Sequence, residues 1–349
     1  MNCICQEIMW NIISGLFVFI MAAALCTLFQ CKIEKTIAVT VGGIIAVMYF
    51  FSLIKRMHWG FYFLLLIVLI SFVYLLVSFK AIKIKDLFSC GGIYYWVVLF
   101  LACVQNKYRV VALMGDLIQR GLITKYSYIT NELINASGRQ TVFLEYPPAT
   151  SLFHYFWMKT GTSFEDSRMY ISMAILLAVF MIPVLEKVSL KHNHLASAVI
   201  SIILYISLFS FYPSVYCDLA NDCFMGICFA YILYMECYEE NKTIKRLGIS
   251  LALFTLILAK SSGIIFAVFS VVIIFIRFCM QNRLNENVAL KKQSRISLIC
   301  YLVSCIFAKG SWSLYIKYLG VMKTFDVSLS KIKWGGGRYV EKAGVYKLL

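Results

Sequence analysis

Apolar residues run almost unbroken at 8–30, 37–54, 59–79 and 91–104, and again at 169–186, 195–212, 219–236, 247–259, 262–278 and 296–316. About 20 apolar residues in a helix cross a hydrocarbon core about 30 Å thick, and fewer suffice where neighbouring helices enclose the segment. The pattern predicts an all-α, polytopic integral membrane protein with about ten transmembrane helices. A closed β-barrel would show short alternating segments instead. The runs divide the chain into N-terminal transmembrane helices (1–104), a long loop (105–168), a transmembrane core (169–316) and a short tail (317–349).

Polar positions between the runs set the expected orientation. Lys32 and Lys35; Lys80, Lys83 and Lys85; Lys187 and Lys191; Lys242, Lys245 and Arg246; and Arg277, Arg283, Lys291, Lys292 and Arg295 fall in alternate connections. Basic residues near helix ends mark the cytoplasmic side, so the 105–168 loop and the tail are expected outside a multi-pass cell-membrane protein. Lys55 and Arg56 lie on the other side and oppose the rule.

The long loop has internal structure in its pattern. In NKYRVVALMGDLIQRGLI, Tyr108, Val111, Leu117, Ile118 and Leu122 recur at helical spacing among charges, which predicts an interfacial helix. A polar linker, TKYSYITNELINASGRQT, follows. Then LEYPPATSLFHYFWMKTG places Pro147 and Pro148 before an aromatic segment too short to cross a bilayer, predicting a re-entrant helix with Pro148 in its first turn.

Composition strengthens the membrane reading: 61% of residues are hydrophobic, 14% are charged and the mean hydropathy is +0.81. The net charge of +16 gathers at membrane surfaces, and no basic stripe with interleaved aromatics lies outside the runs, so no nucleic-acid partner is expected. Thirteen cysteines include no CxxC pair, and most sit in apolar runs as small hydrophobes. Cys3-Ile-Cys5 has no nearby acid or histidine cluster. The first apolar run lacks a basic n-region and is long enough to span, so no cleavable signal peptide is expected.

Candidate chemistry rests on few acids. Asp116 and Asp222 are candidate general bases for activating a hydroxyl beside the membrane. Asp116 better suits an i, i+4 pair with Arg120, and Glu145 equally ends a solvated linker. Asp218 and Asp222 stand at the mouth of a span, where either an N-cap, Asp218 or Asn221, or a functional acid fits the pattern. Lys260, in ILAKSSGIIF, lies between two short apolar runs and suits a lipid-linked phosphate or a snorkelling side chain. Lys309 and Trp312 repeat that theme. KWGGGRYVEK reads as a flexible turn, His192 and His194 are two histidines without a third ligand, and Asn135-Ala-Ser137 is a glycosylation sequon.

The order of these features resembles the bacterial GT-C superfamily of polyprenyl-phosphate-sugar-dependent membrane glycosyltransferases. The resemblance rests on the long first exterior loop, EYPP followed by SLFHYFW, NDCFMGICFAYILY, the broken pair ILAKSSGIIF and the tryptophan in GSWSLYIKY. It implies transfer from a polyprenyl-phosphate sugar donor to a glycan or glycolipid acceptor, with an acid after the first exterior span acting as base or divalent-metal ligand. Asn106 and Lys107 occupy the positions of those acids, which shifts the base role to Asp116 or Asp222. Lys260 would steady the departing phosphate, and Glu145, Tyr146, His154, Tyr155, Trp157 and Asp218 would line the substrate site. A non-catalytic carrier, flippase or assembly partner in polysaccharide export, or a polysaccharide polymerase or ligase, shares the same membrane plan.

Overall fold

The computed structural model describes residues 2–111, 120–133, 146–187, 219, 221–284 and 288–319, and all regular structure among them is helical. The helices are α1 (Asn2–Phe29), α2 (Ile33–Leu53), α3 (Met57–Val77), the single turn α4 (Ile84–Leu87), α5 (Cys90–Asn106), α6 (Leu122–Thr130), α7 (Ala149–Lys159), α8 (Asp166–Met181), α9 (Asn221–Tyr238), α10 (Lys242–Ile257), α11 (Gly263–Leu284) and α12 (Val288–Tyr318). Six segments among the described residues are long and apolar enough to cross a membrane: Gln6–Phe29, Ile33–Leu53, Met57–Val77, Asp166–Glu186, Gly263–Met280 and Lys292–Tyr318. The protein is a helical membrane protein. The shorter helices α5, α9 and α10 pack among these six, while the run at 195–212 lies outside the described residues.

Burial orders the bundle. The α8 segment is 83% buried, whereas the α3 and α12 spans are 22% and 17% buried, so α8 is central and the other two present apolar surface to lipid. On α3 that surface includes Tyr62, Leu66, Leu69, Ile70 and Val73. Charges meet at one end, where Lys35 pairs with Glu239 at 3.0 Å and Glu186 at 3.3 Å, and Arg277 pairs with Glu236 at 3.6 Å. These pairs join the first turn of α2, the end of the α8 segment, the end of α9 with the turn after it, and α11 at what we term the basic end. Beside them Glu34, 1% exposed, accepts the Gly91 amide at the start of α5. The opposite, loop end carries residues 107–111, 120–133 and 146–165, and there Lys55 lies 5.5 Å above the Tyr318 ring. That cation–π contact gives this basic residue a local partner on the side where the charge rule disfavours it.

The loop differs from its pattern in two places. The expected interfacial helix falls largely on residues 112–119, outside the described set, whereas the polar linker opens as helix α6. Its buried face is Ile123, Thr124 and Ser127, a mixture that an apolar count overlooks, and it ends on Asn131 in the left-handed region at φ 56°. Helix α7 is the larger difference. Every residue from Ala149 to Met158 is buried, against α2, α6 and α8, so it is enclosed by protein instead of facing lipid as a re-entrant segment. Pro148 is its N-cap, one position ahead of the first turn.

The C-terminal end of α7 is held by Arg168, itself 1% exposed. Its guanidinium donates to Trp157 O at 2.6 Å, Met158 O at 3.2 Å, Thr160 Oγ1 at 2.9 Å and Ser14 Oγ at 3.3 Å. A cation over the last carbonyls of a helix is favoured by the helix dipole as well as by these bonds. A side chain at Gly161 would run into Arg168 Nη1, so the close approach requires glycine. Replacing Arg168 with Met should destabilise the protein by about 3 kcal/mol, because several buried acceptors lose a charged donor. Thermal unfolding in detergent checks this, with Arg168→Lys recovering part of the loss.

Candidate functional site

Three stretches distant in sequence meet at the loop end. Helix α10 stops at Ile257, and α11 starts at Gly263 after a turn closed by Gly263 N donating to Lys260 O at 2.8 Å. A Cβ at Gly263 would overlap the Leu256 carbonyl oxygen, so this tight reversal has room only for glycine. The turn leaves carbonyls at the end of α10 without helical partners, and neighbouring segments take them. The Ala149 amide, first in α7, donates to Leu258 O at 2.7 Å. Asn221, first in α9, donates through Nδ2 to Ala259 O at 2.6 Å.

These two bonds fix the register that brings Lys260 to Asp222. Lys260 Nζ donates to Asp222 Oδ1 at 2.6 Å, with the Asp222 side chain 65% exposed and that of Lys260 25% exposed. Ser262 Oγ reaches Met225 Sδ at 3.7 Å, closing one side. Asn221 is buried and its Oδ1 makes no hydrogen bond, so the amide is held by a single contact at a junction where a further donor fits. The arrangement is an accessible carboxylate and ammonium on a broken helix pair, one able to accept a proton and the other able to meet a phosphate.

The remaining expected site residues separate into two groups. Asp116, Glu145 and Asp218 lie outside the described residues, as do His192, His194, the 135–137 sequon and the glycine-rich tail. Tyr146 is half-buried just ahead of the prolines. His154, Tyr155 and Trp157 have no exposed surface, which differs from the expected sugar-lining rings. His154 Nδ1 meets Ser172 Oγ at 2.6 Å, Tyr155 Oη donates to Asn131 Oδ1 at 2.8 Å, and Trp157 Nε1 donates to Asn11 Oδ1 at 2.8 Å. These bonds help bury α7, and only His154 Nε2 among the polar side-chain atoms of the three is left without a partner. Asn106 is also fully buried, donating to Ala102 O at 3.0 Å, and Lys107 lies over the Tyr108 ring at 5.0 Å. Asp166, first in α8, accepts the Val111 amide at 3.1 Å.

Asn221 was expected only as an alternative N-cap to Asp218, its bond to the Ala259 carbonyl was not foreseen, and the Leu258 carbonyl was not singled out from sequence. Among the described residues no three His, Cys, Asp or Glu side chains gather as a metal site, so the donor set for the divalent ion implied by the resemblance is not assembled there. The fold and site define a helical membrane protein with a charged, broken-helix junction at its loop end. Comparisons with protein-family models, curated proteins and solved structures give no match.

Asp222 and Lys260 should contribute little to stability, because exposed pairs are screened by water. A double-mutant cycle with Asp222→Asn and Lys260→Gln should give a coupling below about 1 kcal/mol in thermal unfolding. Asn221→Ala should cost more, about 1–2 kcal/mol, since it removes a buried bond between helix ends.

Proposed function

We propose that this protein is a membrane glycosyltransferase acting on polyprenyl-phosphate-linked sugars for cell-surface polysaccharide or glycolipid assembly. The observation that carries the reading is the pairing of Asp222 with Lys260 at the α10–α11 break. In this reading the chain makes about ten crossings of the cell membrane, with the 105–168 loop and the tail outside. Asp222 is the general base, with Asp116 as the second candidate, and Lys260 binds the donor phosphate. In the free protein the two groups neutralise each other. A bound donor phosphate competes for the ammonium and releases the carboxylate for the acceptor.

The acceptor hydroxyl oxygen then bonds to the anomeric carbon as the bond from that carbon to the phosphate oxygen breaks. The hydroxyl proton passes to the carboxylate, and polyprenyl phosphate leaves as an anion beside Lys260. Tyr146, Glu145 and Asp218 adjoin this junction in sequence and are the candidates for contacting sugar. The non-catalytic carrier reading draws support from Asn106, which is buried and bonded where the resemblance expects an acid.

Transfer from a polyprenyl-phosphate sugar to a defined acceptor, measured alongside donor binding, tests the proposal. Asp222→Asn should lower transfer at least about 100-fold with donor binding retained. Lys260→Gln should weaken donor binding. If Asp222→Asn and Asp116→Asn each retain full transfer, the base assignment fails. Donor binding without transfer by the unaltered protein would favour the carrier.

A further inference from the structure

A second site lies at the basic end, away from the α10–α11 break. A cavity of about 350 Å³ opens between α9, α10, α11 and α12, a size within the range of small-ligand pockets. Three glutamates border it, yet two are already neutralised from outside its lining. Glu239 is bonded by Lys35 and by the Asn241 amide at 2.7 Å, and Glu236 is paired with Arg277. Glu240 is exposed at the rim. The lysines of the lining meet neutral oxygens instead: Lys242 Nζ donates to Gln293 Oε1 at 2.9 Å, and Lys245 Nζ to Glu236 O at 3.0 Å. The charge of Lys242 therefore remains available to an anion, while Lys245 shares part of its charge with the nearby Glu236 and Glu239.

Tyr301 supplies the independent observation. It is 1% exposed, lines the cavity, and its hydroxyl makes no hydrogen bond. A buried hydroxyl in that state is unfavourable unless a ligand completes it. We propose that this cavity binds the phosphate of an anionic phospholipid, between the Lys242 and Lys245 ammonium groups and the Tyr301 hydroxyl. The apolar wall selects a lipid over a soluble phosphate ester. Ile274, Phe278 and Leu298 line the cavity, and the neighbouring Phe275, Ile276 and Ile299 are exposed on the outer faces of α11 and α12. A headgroup in the cavity thus has an apolar path for its acyl chains into the bilayer.

Thermal unfolding of the full chain in detergent, titrated with phosphatidylglycerol, phosphatidylcholine or inorganic phosphate, tests this. Phosphatidylglycerol should raise the melting temperature, with phosphatidylcholine and inorganic phosphate having little effect. The double variant Lys242→Gln/Lys245→Gln should need about tenfold more phosphatidylglycerol for half the shift, and Tyr301→Phe about fivefold more. Lys80→Gln/Lys83→Gln, exposed at the same end outside the cavity, should titrate like the unaltered protein. Tyr301→Phe removes only the hydroxyl, so it keeps the test decisive if the double lysine variant fails to fold. An equal response to both lipids, or unchanged titration of Tyr301→Phe, would overturn the site. A full shift from inorganic phosphate alone would overturn the assignment to lipid. Neither result depends on glycosyl transfer.

Discussion

Helix α7 is hydrogen-bonded at its two ends to three other helices, through the backbone after α10 and side chains of α8 and α1, and the loop end is organised around it. Its first amide satisfies Leu258 at the end of α10, while its last carbonyls are satisfied by Arg168 of α8, with Ser14 of α1 completing the cluster. An 11-residue helix is only about 16 Å long, so these attachments make α7 a strut between bundle helices. Within a membrane protein, backbone groups away from water need such partners. The break after Ile257 is tolerated because α7 and Asn221 accept its cost, and the same two contacts set the position of Lys260.

The helices of the bundle were legible because their signal is one-dimensional. Runs expected at 37–54, 59–79, 169–186 and 262–278 correspond to Ile33–Leu53, Met57–Val77, Asp166–Glu186 and Gly263–Leu284, with starts shifted a few residues by polar first turns such as Ile33-Glu34-Lys35. The burial of α7 was not legible. Its sequence offers His, Tyr and Trp, residues suited either to a groove or to a core. The choice depends on Ser172, Asn131 and Asn11, polar partners that lie 18, 24 and 146 residues away. Asp222 and Lys260 were each visible as charges beside apolar runs. Their pairing across 38 residues was not, because it needs the register between α9 and α10 that one asparagine bond establishes.

Charges elsewhere follow a different logic. Glu34, Arg168 and Glu239 are buried, and each is tied to backbone or to an opposite charge by short contacts. Removing one partner there would strand a desolvated group, so these residues read as architecture. Several buried hydroxyls have no hydrogen-bond partner, Tyr231 and Tyr234 among them, and Tyr301 is the one that lines the basic-end cavity, beside lysines that bond to neutral oxygens. Such a hydroxyl is expected where a ligand supplies the missing acceptor.

The Asp222–Lys260 pair stands between these cases. It is short, at 2.6 Å, yet the carboxylate is mostly in water, so its net contribution to folding is small. A pair of low net worth is also readily exchanged. In the proposed reaction the donor's phosphodiester offers the ammonium one charge and two free oxygens, as the carboxylate does, the departing phosphate monoester offers more, and the exchange breaks no buried contact. The backbone that carries the pair is fixed by Asn221 and the α7 amide, so the charges can change partners while the backbone positions that carry them persist. Rigid support beneath an exchangeable ion pair is what separates this junction from an ordinary surface salt bridge, and it is why Asp222 and Lys260 carry the functional reading instead of the more deeply buried Arg168.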